Sequence, residues 1–287
     1  MTGSVNETAS PHKTEKKPGQ MLLATDLDGT LLSSDKSVSR RNLDAITAMV
    51  NAGHKFVIAT GRPVQSALTI AARYGWDTDG YYISSFNGGL VYDCGRKQDI
   101  LVHGLKIADV SFILKSAHAE GLHAHTYDKH YVVSEHDTPE LARYVKGILM
   151  PGKVVPDIRD YLSVEPIKAI VISTQGRERL QAFQQKLSSF SQGRLSYTFS
   201  NPTFLEYGHI DSSKGNSVLF LADFFGIEKE NIICCGDEEN DLSMIESAGL
   251  GVVMANGTDF MKERAGYVTE NDNDHDGIAE VIHRFIL

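Results

Sequence analysis

The run Met21-Leu22-Leu23-Ala24-Thr25 is short, apolar and does not alternate, and it leads straight into Asp26-Leu27-Asp28-Gly29. A strand with one wet face alternates, whereas a run that is apolar at successive positions has no wet face. The run therefore reads as a parallel strand buried on both sides, although pattern alone leaves a buried helical turn open. Either way, two carboxylates one residue apart arrive at the end of a buried segment, where their repulsion is least screened.

The next stretches repeat the theme. Leu43, Ile46, Met49 and Val50 recur at helical spacing, with Gly53 as the stop. A second apolar run, Lys55–Ala59, ends at Thr60, and a helical pattern from Val64 closes at Gly75. Tyr81–Ser85 reads as a third strand running into Phe86-Asn87-Gly88-Gly89. Strand–helix alternation of this kind predicts a parallel sheet with helices on both faces.

From about Leu90 to Thr203 the texture changes to hairpin-like strands mixed with amphipathic helices, the pattern of an α+β unit inserted into the first domain. Alternation then resumes: a helix after Ser213, a strand over Asn231–Asp237, a helix after Glu239, and a closing helix with Asp276 as its expected cap. The reading divides the chain into a polar N-terminal tail (1–20), a core (21–88 and 205–287) and an inserted cap (89–204).

The chain of 287 residues is long enough for this arrangement. Its net charge of −9 argues against a nucleic-acid partner, which requires clustered Lys and Arg, but leaves a small phosphorylated ligand open. No apolar run is long enough to span a membrane. Three cysteines, Cys94, Cys234 and Cys235, form no disulfide framework, so a reducing cytoplasm is expected. Oligomeric state is not legible.

Asp26, Thr60 and Asp237 each stand at the carboxyl end of a separate expected strand, the edge where open α/β sheets bind ligands. Asp26, Asp28 and Asp237 are expected within a few ångströms of one another. Two like charges ~4 Å apart repel by roughly 4 kcal/mol even at an effective dielectric of ~20. Such a cluster must take up protons or hold a cation, and an all-oxygen set beside a phosphate favours Mg²⁺.

Four segments in order, "DLDGTLL" from Asp26, "ATGRP" around Thr60, "SSKGN" around Lys214 and "CGDEENDLSM" from Cys235, resemble the motifs of the haloacid dehalogenase superfamily. The insert, placed after the second motif, is similar to the large α/β cap (C2B type) of the Cof-like phosphatases, and "FNGG" is close to their "NGA" run. The resemblance covers about residues 21–287. It implies a Rossmann-like doubly wound parallel sheet with an inserted α+β cap. It further implies that Asp26 is the nucleophile and Asp28 the general acid and base. Thr60, the Gly61 N–H, Lys214 and Asn240 would hold the phosphoryl group. Asp26, the Asp28 carbonyl and Asp237 would hold Mg²⁺, with Asp241 in support. Read from its own chemistry, Arg62 would either touch substrate phosphate or hold a capping loop.

Each segment alone has a plainer reading. "DLDG" is also a turn or the start of a calcium loop, though Thr30-Leu31-Leu32 lacks the later oxygen ligands. "GDEEND" is also a solvated helix start, "TGRP" a turn and Lys214 a surface lysine. Their occurrence in order favours one phosphoryl site. His118, His123, His125, His130 and His136 read as surface histidines of the cap, Cys234 and Cys235 as core, and Trp76, Tyr81 and Tyr82 as packing.

The expected function is a Mg²⁺-dependent phosphatase acting on a small phosphorylated metabolite through an aspartyl phosphate. The alternatives are a phosphotransferase such as a hexose phosphate mutase on the same core, and a non-catalytic sensor of a phosphorylated metabolite.

Overall fold

The computed structural model of the chain describes residues 19–148 and 150–287. The expected tail thus lies outside the described residues, save Gly19 and Gln20. Gln20 is buried, its side-chain amide donating to the Gly53 carbonyl at 2.5 Å, so packing begins one residue earlier than expected.

Eight strands form the larger sheet, in the order Tyr267–Val268, Leu250–Val253, Ile232–Gly236, Leu22–Thr25, Lys55–Ala59, Tyr81–Ser85, Leu90–Asp93, Gln98–Val102. The first six pair in parallel and the last two add antiparallel. Leu22–Thr25 is central and fully buried, as its lack of alternation requires. Its neighbours are the next strand in the chain on one side and one more than 200 residues later on the other, so chain order reverses across it. That reversal opens a crevice at the carboxyl ends, where Asp26 emerges.

Helices cover both faces. Arg40–Asn51 and Gly277–Phe285 pack together, with Ser39 capping the former through its hydroxyl. Asp276 holds the N-cap position of the closing helix, as expected, but does not cap it through its side chain. It stands at φ +67°, makes no side-chain cap bond, and instead accepts from the Ser39 hydroxyl, tying the two helix starts to each other.

Six strands form the second sheet, in the order Leu195–Asn201, Phe204–His209, Ala169–Ile172, His123–Tyr127, Val132–Ser134, Gly152–Val154. Helices Ile107–Ala119 and Arg177–Ser191 bury Val110, Ile113, Phe183 and Leu187 against one face, which carries Ala124, Val171 and Leu205. The other face carries Tyr127, Ile170 and Phe204, and clusters with Tyr144 of helix Pro139–Ile148 and with Phe86 of the core.

Strand pairing moves both expected domain boundaries. The hairpin Leu90–Val102 belongs to the larger sheet, because Tyr82–Ser85 offers it a free edge. Phe204–His209 belongs wholly to the second sheet. The chain leaves the core after Val102 and returns after His209, and the rings of His103 and His209 lie 5.1 Å apart.

The histidines depart from expectation. His123 and His125 share a face, as alternation requires, but they are 4% and 0% exposed. His123 Nε2 is 3.0 Å from His125 Nδ1, and His125 Nε2 is 3.4 Å from the Tyr127 hydroxyl. Burial pushes His123 down to about 4 and holds His125 well below the usual range, so both are neutral links in a buried chain. Periodicity could not show that helix Pro139–Ile148 covers this face. His130 and His136 are exposed, as expected.

Candidate active site

The site forms at the carboxyl edge of the larger sheet. Asp26 follows the central strand, Thr60 the strand on one side, and Asp237 the strand on the other. Parallel pairing of Leu22–Thr25 with Ile232–Cys235 aligns the exits of segments remote in sequence. Asp26 N–H donates to the Cys235 carbonyl at 2.9 Å, fixing the turn against that strand.

Gly29 at φ +86° lets the chain fold back beneath Asp237. A Cβ there would lie 2.3 Å from Asp237 Oδ2. The Thr30 hydroxyl donates to Asp237 Oδ1 at 2.7 Å, and Thr30 is fully buried. Sequence reasoning passed over Thr30 as a mere non-ligand. The available signal was a lone hydroxyl between a glycine and two leucines.

Lys214 is the first residue of helix Lys214–Phe225, whose start Ser213 caps by accepting from the Asn216 N–H. A cation at a helix N-terminus is ordinarily unfavourable. Here two carboxylates outweigh that: Lys214 Nζ lies 2.5 Å from Asp26 Oδ1 and 2.6 Å from Asp241 Oδ1. Burial works against the ammonium, yet the two carboxylates raise its pKa above the ordinary lysine value. Asp241 is fully buried on the short turn Glu239–Asp241, and its Oδ2 accepts the N–H groups of Asp237 and Glu238. Asn240 is half-buried on the same turn.

Asp26, Asp237 and Asp241 each present a carboxylate oxygen within 4.8 Å of the other two. Burial is the largest cause that raises Asp26 to about 7, against the pull of Lys214 and with the push of Asp241 and Asp237. Burial likewise raises Asp237 to about 6, partly opposed by the Thr30 hydroxyl. Carboxylates held this far up are short of positive charge. The oxygen-only donor set fits a small hard divalent cation such as Mg²⁺.

Asp28 differs from the expected convergence. Its side chain turns away from Asp26 and Asp237 to a bidentate pairing with Arg62 (Nε–Oδ2 and Nη2–Oδ1, both 2.7 Å) and to Lys36 Nζ at 2.9 Å. Burial raises its pKa, but the bonds from Arg62 and Lys36 prevail and hold it below the usual carboxylate value. The Arg62 side chain is thus held by Asp28. Its partner is a carboxylate.

The loop after Ala59 is built by backbone. Arg62 N–H donates to Thr60 Oγ1 at 3.1 Å, while the Arg62 and Thr60 carbonyls accept from Phe86 N–H (3.1 Å) and Asn87 N–H (3.0 Å). Phe86 and Asn87 pay for this geometry with left-handed backbone, φ +53° and +56°. Gly88 follows at φ +88°, where a Cβ would lie 2.0 Å from the Ser213 carbonyl oxygen. The "FNGG" segment thus sits between the Thr60 loop and the helix that carries Lys214.

A family model described as haloacid dehalogenase-like hydrolase matches residues 23–282. The 5-amino-6-(5-phospho-D-ribitylamino)uracil phosphatase YitU of Bacillus subtilis is 30% identical over 296 residues, covering 94% of this chain and 98% of that protein. The pyridoxal phosphate phosphatase YbhA of Escherichia coli is 25% identical, with 93% of this chain and 98% of that protein covered. A haloacid dehalogenase-like hydrolase from Bacteroides thetaiotaomicron superposes with a TM-score of 0.85 at 29% identity, covering 93% of this chain and all of that one.

Proposed function

The chain belongs to the haloacid dehalogenase-like hydrolases, and from that premise we propose that it is a Mg²⁺-dependent phosphatase hydrolysing small organic phosphate monoesters through an aspartyl phosphate on Asp26. The observation that carries the reading is the Lys214 ammonium set between Asp26 and Asp241, beside Asp237, where a helix start meets two neighbouring strand ends.

The carboxylates of Asp26 and Asp237, with the Asp28 carbonyl, would hold Mg²⁺, and Asp241 would support the set from the Lys214 side. When bound, the ion neutralises charge on the phosphoryl oxygens and keeps Asp26 ionised. An Asp26 carboxylate oxygen then attacks phosphorus as the ester P–O bond breaks, and the leaving oxygen takes a proton from Asp28. In the second half Asp28 takes a proton from water, the resulting oxygen attacks phosphorus, and the bond to Asp26 breaks to release phosphate. Lys214, the Thr60 hydroxyl, the Gly61 N–H and Asn240 hold the transferring group. Positioning and charge supply most of the acceleration in such transfers.

Arg62 and Lys36 keep Asp28 as a carboxylate, the form that deprotonates water. Protonated Asp28, which the first half requires, becomes available when Arg62 exchanges it for substrate phosphoryl oxygens. The phosphatases named above act on a ribitylamino-uracil phosphate and on pyridoxal phosphate, so phosphate esters of small heterocyclic metabolites head the list of substrates. Its free, buried cysteines suit a reducing compartment such as the cytoplasm, and among the described residues no helix is long and apolar enough to cross a membrane.

The test is phosphate release from a panel of those two esters, flavin mononucleotide, sugar phosphates and nucleotides, with Mg²⁺ and with chelator. Wild type should release phosphate only with Mg²⁺, and Asp26→Asn should release none. Isomer interconversion without release assigns a mutase instead. Metal-dependent binding without turnover of any ester assigns a sensor.

A further inference from the structure

Lys168 immediately precedes the second-sheet strand Ala169–Ile172, yet its ammonium reaches the core. It is 3% exposed, and its Nζ donates to the Gly61 carbonyl oxygen at 2.8 Å and to Glu206 Oε2 at 2.5 Å. Glu206, from the neighbouring strand, is held in turn: Oε2 accepts from Asn87 Nδ2 at 3.1 Å and Oε1 from the Ser200 hydroxyl at 2.7 Å. The third side of the ammonium faces the Phe86 ring, 5.7 Å from its centroid. Every direction in which Lys168 donates is thus directed at protein.

The oxygen that Lys168 holds belongs to the Gly61–Arg62 peptide unit. The N–H of the same unit donates to Thr60 Oγ1 at 3.1 Å. A peptide plane has few ways to turn, and this one is fixed at both ends, by the cap through its oxygen and by Thr60 through its hydrogen. Because Thr60 Oγ1 is occupied as an acceptor, its own hydrogen is free to point elsewhere. A Cβ at Gly61 would stand 3.0 Å from Asn87 Oδ1, so glycine is what lets the loop run this close to Asn87.

We propose that Lys168 is a positioning residue for phosphoryl transfer: held by Glu206, it orients the Gly61–Arg62 peptide so that the Thr60 hydroxyl donates toward the phosphoryl group only when the cap is seated. The proposal rests on the phosphatase reading. It makes the cap part of the phosphoryl site as well as its cover, coupling substrate closure to assembly of the loop.

The experiment uses the full chain with Mg²⁺ and p-nitrophenyl phosphate, whose small leaving group makes little demand on cap contacts. Wild type is assayed first, and no turnover of this ester or of the panel above counts against the phosphatase reading itself. Given turnover, Lys168→Met, Lys168→Met with Glu206→Gln (which removes the stranded carboxylate), and Lys168→Arg are compared. The folded double variant should lose 10- to 100-fold in kcat and bind inorganic phosphate at least fivefold more weakly. Its Mg²⁺ activation constant should stay within twofold, because the acidic cluster is untouched. Lys168→Arg, which keeps the charge but not the compact donor, should recover only part of kcat at an unchanged melting temperature. A folded double variant with kcat and phosphate affinity within twofold of wild type overturns the proposal. So does full wild-type activity in Lys168→Arg when the Met variants fail to fold, since the lysine then serves the fold alone.

Discussion

Lys214 and Asp241 form a wholly buried ion pair: Nζ to Oδ1 is 2.6 Å, and neither side chain has measurable exposure. The same ammonium reaches Asp26 at 2.5 Å. Removing one partner of such a pair leaves the other charged and without solvent, at a cost of about 3–5 kcal/mol. Lys214→Met should therefore lower unfolding free energy by that order in urea titrations as well as abolish turnover. Adding Asp241→Asn should recover part of the stability and none of the activity. Additive losses in the double variant would contradict the pairing.

The raised carboxyl groups of Asp26 and Asp237 set a pH dependence. Both bind protons more tightly in the folded chain than at the ordinary value of 3.8. Without metal, their contribution to stability is complete below that value and is lost as pH rises through about 6 and about 7. A divalent ion competes with those protons. The Mg²⁺-induced rise in melting temperature should accordingly grow from pH 5 to pH 8. At a free ion concentration ~100 times Kd it corresponds to about 2.7 kcal/mol. Equal shifts across that range would place the ion elsewhere.

Gly29→Ala should impair the site without touching a polar group. The left-handed backbone costs about 1–3 kcal/mol for a non-glycine residue. The new methyl must also displace Asp237, which it would approach to 2.3 Å. The expected result is a weakened Mg²⁺ requirement curve, shifted at least tenfold, with a lowered melting temperature. An unchanged curve in a folded variant would show that Asp237 is not a ligand.

Arg62 distinguishes two events. If it transfers from Asp28 to the substrate, Arg62→Met should raise KM about tenfold for every ester. It should also let Asp28 rise part of the way toward its ordinary value, since the Arg62 bonds are lost while the Lys36 bond remains. The stability Asp28 contributes is present above 3.8 and lost as pH falls through its lower folded value, so this variant should start less stable at neutral pH and lose stability less steeply on acidification. A fall in kcat with KM unchanged would confine Arg62 to orienting Asp28.

What could be read beforehand follows from the nature of each signal. Non-alternating apolar runs identified the buried parallel strands, and the polar residues at their ends located Asp26, Thr60 and Asp237. The direction of the Asp28 side chain was not legible, because it depends on Arg62, thirty-four positions away in the chain. Lys168 and Glu206 were invisible for the same reason. Each is an isolated charge at or beside a strand of the insert, and only strand pairing within the second sheet, with that sheet docked on the core, brings them to Gly61. The hairpin Leu90–Val102 joins the larger sheet because of a free edge that local pattern does not reveal: sequence shows that strands pair with each other but not which sheet they extend. Burial of His123 and His125 likewise depended on a helix whose docking face no local pattern announces.

The outgoing and returning segments at His103 and His209 run side by side, ring against ring. Departure and re-entry at nearly one point leave the parent sheet unbroken. Lineages can therefore lengthen, shorten or swap the inserted module at this junction without rethreading the parent. Any replacement graft must still present an ammonium where Lys168 now stands, so loop assembly constrains which modules the junction will accept.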